Sequence, residues 1–259
     1  MFYPKRLEAT KKSTMTSMPL LLKHIRQVFE LAETRAREVS NDTDLVIELE
    51  RIDEVYVSVA YEAAAMIRAL QDFETGTVPS LWELFLSKNN KHEAQIHVGL
   101  GWALAQITVD AAALLASLKP EMRNRVLDGW GYHDGTVHKR AYLLAKKIPD
   151  RLHTSWQAGY NQGLGRSLWY SAQGNPELLA PLLNGFEAPR QGSLWRGVGI
   201  AVSYVGGFQP AVLETLFFQA QPFHKEFLAG LQAALQSRQK AGVPNSSSVT
   251  LQNFLSNKV

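Results

Sequence analysis

Apolar residues recur at three- and four-residue spacing along most of the chain, a period that commits it to helices rather than sheets. Val55, Val59, Glu62, Met66, Ala69 and Leu70 keep that spacing, as do Val98, Trp102, Ala105 and Gln106. Gln162, Arg166, Trp169 and Tyr170 form a third such stripe, and Phe227, Leu231, Ala234 and Leu235 a fourth. Alternating patterns of useful length are absent, and no Asn-Gly or Asp-Gly pair joins two β-branched runs. Breakers separate the helical stretches at Gly76–Pro79, Pro120, Pro149, Gly174–Pro176, Pro189 and Gly206–Pro210. The expected fold is all-α.

Glycine pairs sit inside these patterns. His97–Ala105 resembles Asn161–Trp169, and each is followed about 30 residues later by a second Gly-x-Gly, at Gly129 and Gly131 or at Gly197 and Gly199. This suggests a duplicated helix-pair unit. A glycine inside a helix costs about 1 kcal/mol relative to alanine. Two surfaces meeting where a Cβ is missing would offset that cost, either helix against helix or helix against ligand. Helix packing is the simpler of the two.

At 259 residues the chain amounts to about 1.7 average domains. It divides into a basic N-terminal segment and first helix, 1–40, and an all-α core domain, 41–259. The absence of cysteine excludes disulfides, a thiol nucleophile and cysteine-held metal centres. Net charge is +3, too small for a nucleic-acid-binding surface. Lys5, Arg6, Lys11, Lys12, Lys23 and Arg26 make the N-terminal segment basic, which reads as a solvated arm. No apolar run is long enough for a transmembrane segment, and none reads as a signal peptide, so a cytoplasmic protein is expected.

Familiar motifs are missing. Gly163-Leu-Gly165 and Gly197-Val-Gly199 lack the third glycine and the preceding strand of a dinucleotide site, and there is no phosphate loop or nucleophile elbow. His92 and His97 are five residues apart, as are His133 and His138. On a continuous helix that places them about 140° apart, unlike the zinc pair at four-residue spacing. No metal and no cofactor is expected.

A polar set nevertheless interrupts the apolar helices. Glu62 falls on an apolar stripe and points to the core, where it must be paired or protonated; Arg166 and Arg190 are the candidate partners, and a protonated Glu62 is a candidate general acid. Asp128 and Tyr132 lie one turn apart, with His133 and Asp134 adjacent, and Asp128 is readable as an N-cap, as a hydrogen-bond partner inside the bundle or as part of an acid–base pair. Gln162, Arg166, Trp169 and Tyr170 share a face that suits an anion or stacked ring. Trp102, Trp130, Trp169 and Trp195 stand in or beside the glycine motifs and would line a cavity or fill the core.

These segments resemble the UnbL family, bacterial proteins of unassigned biochemistry recurrent in enediyne antibiotic gene clusters. The resemblance rests on Val59–Met66, His97–Ala105, Leu127–Gly135, Gly159–Tyr170 and Leu194–Gly207. The chain departs from the family at Asn161, where an aspartate is usual, and at Thr136-Val137, where an aromatic pair is usual. The resemblance implies secondary metabolism, with a hydrophobic polyene or polyketide as the nearby small molecule and other biosynthetic proteins as partners. The resulting expectation is isomerisation or cyclisation in an aromatic cavity. Glu62, Asp128 and His133 would transfer protons, while Tyr132, Gln162, Arg166, Trp169, Trp102 and Trp195 bind substrate. The alternative is a non-catalytic carrier of such an intermediate.

Overall fold

The computed structural model describes residues 17–258 apart from 77, 79, 109 and 110, and among these residues it is helical with no strand. The basic residues Lys5, Arg6, Lys11 and Lys12 lie outside the described residues. The helices are α1 (Met18–Glu38), α2 (Asp42–Leu49), α3 (Val57–Thr75), α4 (Leu81–Lys88), α5 (Glu93–Gln106), α6 (Ala112–Ser117) and α7 (Pro120–Val137). They continue with α8 (Gln157–Ser171), α9 (Pro176–Asn184), α10 (Ala188–Val205), α11 (Pro210–Gln219), α12 (His224–Ala241) and α13 (Ser248–Lys258). The sequence breakers act as helix boundaries. Proline occupies the first turn of α7, α9, α10 and α11, where its missing N–H is no loss. Gly76 and Gly242 end α3 and α12 in the left-handed conformation that a side chain disfavours.

Six helices, α3, α5, α7, α8, α10 and α12, pack side by side in that order. Glycine sets the spacing between them. A Cβ on Gly101 would lie 1.9 Å from the Val126 carbonyl oxygen, and one on Gly129 would lie 2.0 Å from that of Val98. Gly131 and Gly163 stand in the same way against the carbonyls of Tyr160 and Asp128. Gly165 and Gly197 meet those of Leu194 and Gln162, and Gly199 and Gly230 those of Phe227 and Arg196. In every pair, each glycine meets the carbonyl three residues before its partner glycine. The α3–α5 contact keeps the pattern with alanine on one side, since Gly99 faces Glu62 O and the Ala65 methyl.

Two residues on a helix lie about 200° apart, so the two glycines of one Gly-x-Gly face opposite neighbours. Each motif is thus a connector, one glycine to the preceding helix and one to the next. The helix-packing reading of the glycines holds, and the repeat is finer than a duplicated helix pair: it recurs at every interface of the layer.

The layer curls until its ends meet. Arg238 of α12 donates to the carbonyl of Val55, just before α3, and Tyr204 of α10 donates to Gln95 of α5. Helix α1 lies along the concave side. Its Leu21, Leu22, Ile25, Val28, Ala32 and Ala36 belong to the same core as the layer. Arginines close helix ends, Arg68 buried, Arg123 half-buried and Arg151 exposed. Arg68 bonds Asp42 and the last carbonyls around α1, Ala36 O and Val39 O. Arg123 serves α6 through Leu115 O and Leu118 O, and Arg151 serves α5 through Leu104 O and Ala105 O. No helix among the described residues is long and apolar enough to cross a membrane.

Arg190 is less completely satisfied. It is 6% exposed, donates through Nε to Asn161 Oδ1 at 2.9 Å and through Nη1 to Lys146 O, and leaves Nη2 buried without a partner. Asn161 therefore belongs to this contact, not to the proton-transfer set.

Two outcomes follow from the packing. Gly163→Ala places a methyl 1.9 Å from Asp128 O, between two backbones that cannot rotate away, and is expected to lower stability by about 3 kcal/mol or more. Gly192→Ala, whose new methyl meets nothing nearer than 3.4 Å, is expected to be neutral or to gain up to about 1 kcal/mol. Denaturant unfolding of the two variants checks the contrast. Asn161→Asp offers Arg190 a second acceptor for Nη2 and a counter-charge. It should stabilise by about 1–2 kcal/mol at neutral pH. The paired carboxylate has a depressed folded pKa, so that gain is present above about pH 4 and disappears in more acid solution.

Candidate functional site

The curl encloses a cleft of about 630 Å³ lined by residues from α1 and all six helices of the layer. The glycine register dictates what faces it. The residue after the second glycine is Trp102 in α5, Tyr132 in α7 and Arg166 in α8, and all three line the cleft. Four residues further on, Thr136 in α7 and Tyr170 in α8 line it as well, and Tyr204 does so from α10, five positions beyond Gly199. Helix α3 adds Val59 and Glu62; α1 adds Leu22, Ile25 and Phe29. Phe29 packs against Trp102 with ring centroids 4.8 Å apart, and Trp102 stands edge-on to Tyr132 at 5.2 Å. The exposed Lys23, Arg26 and Lys139 stand at the solvent end.

The polar centre is one guanidinium shared by two carboxylates. Arg166 donates through Nη1 to Asp128 Oδ2 at 2.5 Å, while its Nη2 lies 3.6 Å from Glu62 Oε2. Gln162 Nε2 donates to the other Asp128 oxygen at 3.0 Å, so both Asp128 oxygens are engaged. The Arg166 guanidinium also stacks over the Tyr132 ring at 4.2 Å. Burial opposes its charge, but Asp128 and Glu62 hold it protonated.

Glu62 is left as the surplus acid. It is 3% exposed, and burial pushes its pKa up to about 7. Arg166 pulls the value down less strongly, and the negative charge of Asp128 adds to the rise. Of its two candidate partners Glu62 uses Arg166, and Arg190 is occupied elsewhere. Tyr132 and Tyr170 are also pushed up by burial, and remain neutral hydroxyl donors.

The remaining expected site residues lie apart from the cleft. Asp128 is no N-cap: it sits inside α7, behind Arg166, and tunes that residue instead of meeting a ligand. His133 is buried behind Trp102, edge-on at 5.3 Å, with Nδ1 on Asp134 Oδ1 at 3.1 Å. Trp169 is fully buried in the core away from the lining, although it follows Arg166 on the same helix. Trp195 packs edge-on against Phe227, also outside the lining. Trp130 is stacked under Arg151. The glycine-adjacent tryptophans thus divide, Trp102 to the cleft and the others to the core.

Two features were missed in the sequence. Arg238 lines the cleft from α12. Its signal was present, since the stripe Phe227, Leu231, Ala234, Leu235 continues to 238 at the same spacing. The other is a convergence of ligand atoms: those of His133, Asp134 and His138 all lie within 4.8 Å of one another. The 140° separation inferred for the two histidines does not apply, because α7 ends at Val137 and His138 leaves the helical path. Tyr160 Oη donates to Asp134 Oδ2 at 2.9 Å and orients that carboxylate. Two imidazoles and a carboxylate are a donor set suited to a divalent transition metal.

No curated protein and no solved structure matches the chain. A family described as "Protein of unknown function (DUF1702)" matches residues 10–258, and the chain belongs to that family.

Proposed function

We propose that the concavity binds an extended hydrophobic molecule, of the polyene or polyketide kind, and that Glu62 moves a proton on it. The observation that carries this reading is an acid with a pKa near 7 in the wall of an aromatic cleft. A carboxyl group in that range is half protonated at neutral pH, where an ordinary glutamate is a poor acid. Protonated Glu62 would deliver its proton to one carbon of a conjugated chain. The indole of Trp102 favours the delocalised cation that results. The Glu62 carboxylate, held beside Arg166, would then remove a proton from another carbon and regenerate the acid. The net change is a double-bond shift, or a ring closure if a carbon–carbon bond forms before the proton leaves. Atoms balance without a cofactor.

A second reading, a carrier that holds such an intermediate unchanged, is favoured by one feature. Asp128 and His133, the expected counterparts of Glu62, lie behind the cleft wall, so Glu62 faces the ligand space as its only carboxyl near Arg166. Solvent extraction of protein purified from its own host, followed by incubation of the released compound with fresh protein, separates the two. A change of chromophore or mass that disappears in Glu62→Gln supports catalysis. A compound returned unaltered supports carriage.

If Glu62 is the acid, turnover falls tenfold per pH unit above about pH 7, since only the protonated form donates. The same group sets a stability profile. Its folded pKa exceeds the ordinary 4.5, so its contribution is complete below about pH 4.5 and is lost as pH rises to about 7. Glu62→Gln should therefore gain on wild type by about 3 kcal/mol between pH 4.5 and 8. Chemical denaturation across that range gives the test: parallel profiles would show that Glu62 ionises like an exposed carboxylate.

A further inference from the structure

Arg238 is a buried cation with no anion. It is 2% exposed, and its two hydrogen bonds go to neutral backbone oxygens, Nη2 to Val55 O at 3.0 Å and Nη1 to Tyr204 O at 3.3 Å. Its Nε is buried without a partner. Among the described residues no carboxylate pairs with it, and the groups that act on its charge are the tyrosines Tyr204, Tyr56 and Tyr170. A guanidinium stays protonated even so, because its ordinary pKa is far above neutral.

The other interior charges of the cleft are accounted for, and its lysines, Lys23 and Lys139, are exposed at the rim. Arg166 is matched by Asp128 and Glu62. Glu30 and Glu33, on the α1 wall, are taken by Arg26 at 2.8 Å and Arg37 at 3.0 Å. The anion-binding role expected of Arg166 is therefore already filled from within the protein, and among the described residues the interior cation of the cleft left without a counter-charge is Arg238. A buried charge left unpaired is strongly unfavourable, and a ligand that supplies the missing charge recovers that penalty as binding energy.

We infer that Arg238 anchors the carboxylate end of the ligand, so that the molecule bound in the cleft is an amphipathic monocarboxylate with a conjugated or apolar body. This rests on the reading of the concavity as a ligand site, and specifies its chemistry. A single guanidinium flanked by the tyrosines Tyr56, Tyr170 and Tyr204 provides one positive charge, matched to one negative charge. The apolar body would run from there along Tyr170, Tyr132 and Trp102 toward Phe29. That path carries the chain past Glu62.

The test uses cis-parinaric acid, a fluorescent conjugated tetraene carboxylate, and its methyl ester, titrated into the full-length protein. The acid should bind at least tenfold more tightly than the ester. Arg238→Met should abolish that preference while leaving ester binding within about twofold, which also reports that the variant is folded. Equal affinity of wild type for acid and ester overturns the anchor and leaves the apolar cleft standing. Preference retained in Arg238→Met overturns it as well, and points to Lys23 or Lys139 at the rim. If neither compound binds, the anchor and the cleft as a ligand site fail together. Dodecyl phosphate completes the series: binding tighter than that of the carboxylate would replace the monocarboxylate by a phosphate ester.

Discussion

Everything in this molecule depends on how closely its helices approach. Where a glycine stands against a carbonyl oxygen of the next helix, no side chain separates the two backbones, and the same contact repeats from α3 to α12. Ordinary helix pairs interlock side chains and sit 8–10 Å apart. Here the interfaces are freed of side chains at their centres, which leaves the remaining residues to project to the two faces of the layer. One face meets the shorter outer helices. The other curls around the cleft, and Trp102, Tyr132, Thr136, Arg166, Tyr170 and Tyr204 reach it from one or five positions beyond the second glycine of their helices.

That register explains why polar groups are tolerated inside an apolar scaffold. Asp128, Gln162 and Arg166 come from helices fixed to one another by backbone contact, so the hydrogen bonds among them need little further ordering. The arrangement also sets the charge balance. One guanidinium cannot fully compensate two buried carboxylates, and Glu62, the one without a hydrogen bond shorter than 3.6 Å to it, has its pKa pushed up to about 7 by its burial. The departure of Glu62 from ordinary glutamate behaviour thus follows first from its burial, which an Arg166 held 2.5 Å from Asp128 and 3.6 Å from Glu62 offsets only in part.

Much of this was legible in the residues. Helical period, proline starts and glycine stops gave the elements, and Glu62 on an apolar stripe announced a buried acid. The glycine pairs announced close packing. What one-dimensional reasoning missed has physical causes. A helical face names a direction, not what lies in that direction: Trp169 shares a stripe with Arg166 yet is buried in core, because the two sides of that stripe meet different neighbours. Wheel arguments also fail at helix ends, as His138 shows. Arg238 was overlooked because a basic residue in a last turn is usually solvated, and only the return of α12 to the start of α3 puts it in the interior.

Helix α1 differs from the rest of the wall. It packs on α3 through leucine, isoleucine and valine side chains, with Arg68 tying its C-terminal carbonyls, and the glycines that meet it, Gly174 and Gly207, touch the Met18 and Leu21 side chains instead of its backbone. Its Leu22, Ile25 and Phe29 supply the apolar wall opposite Glu62 and Arg166. Exchanging these side chains for others of similar volume changes the shape of the cleft while leaving the five helix interfaces untouched, and such swaps usually cost under about 1.5 kcal/mol. Changes in the layer lack that freedom, since a single added methyl at a glycine meets backbone. The fold therefore separates a rigid, charge-bearing half of the site from an adjustable apolar half. The shape of the apolar wall can be tuned on α1 without moving Glu62, Arg166 or Arg238.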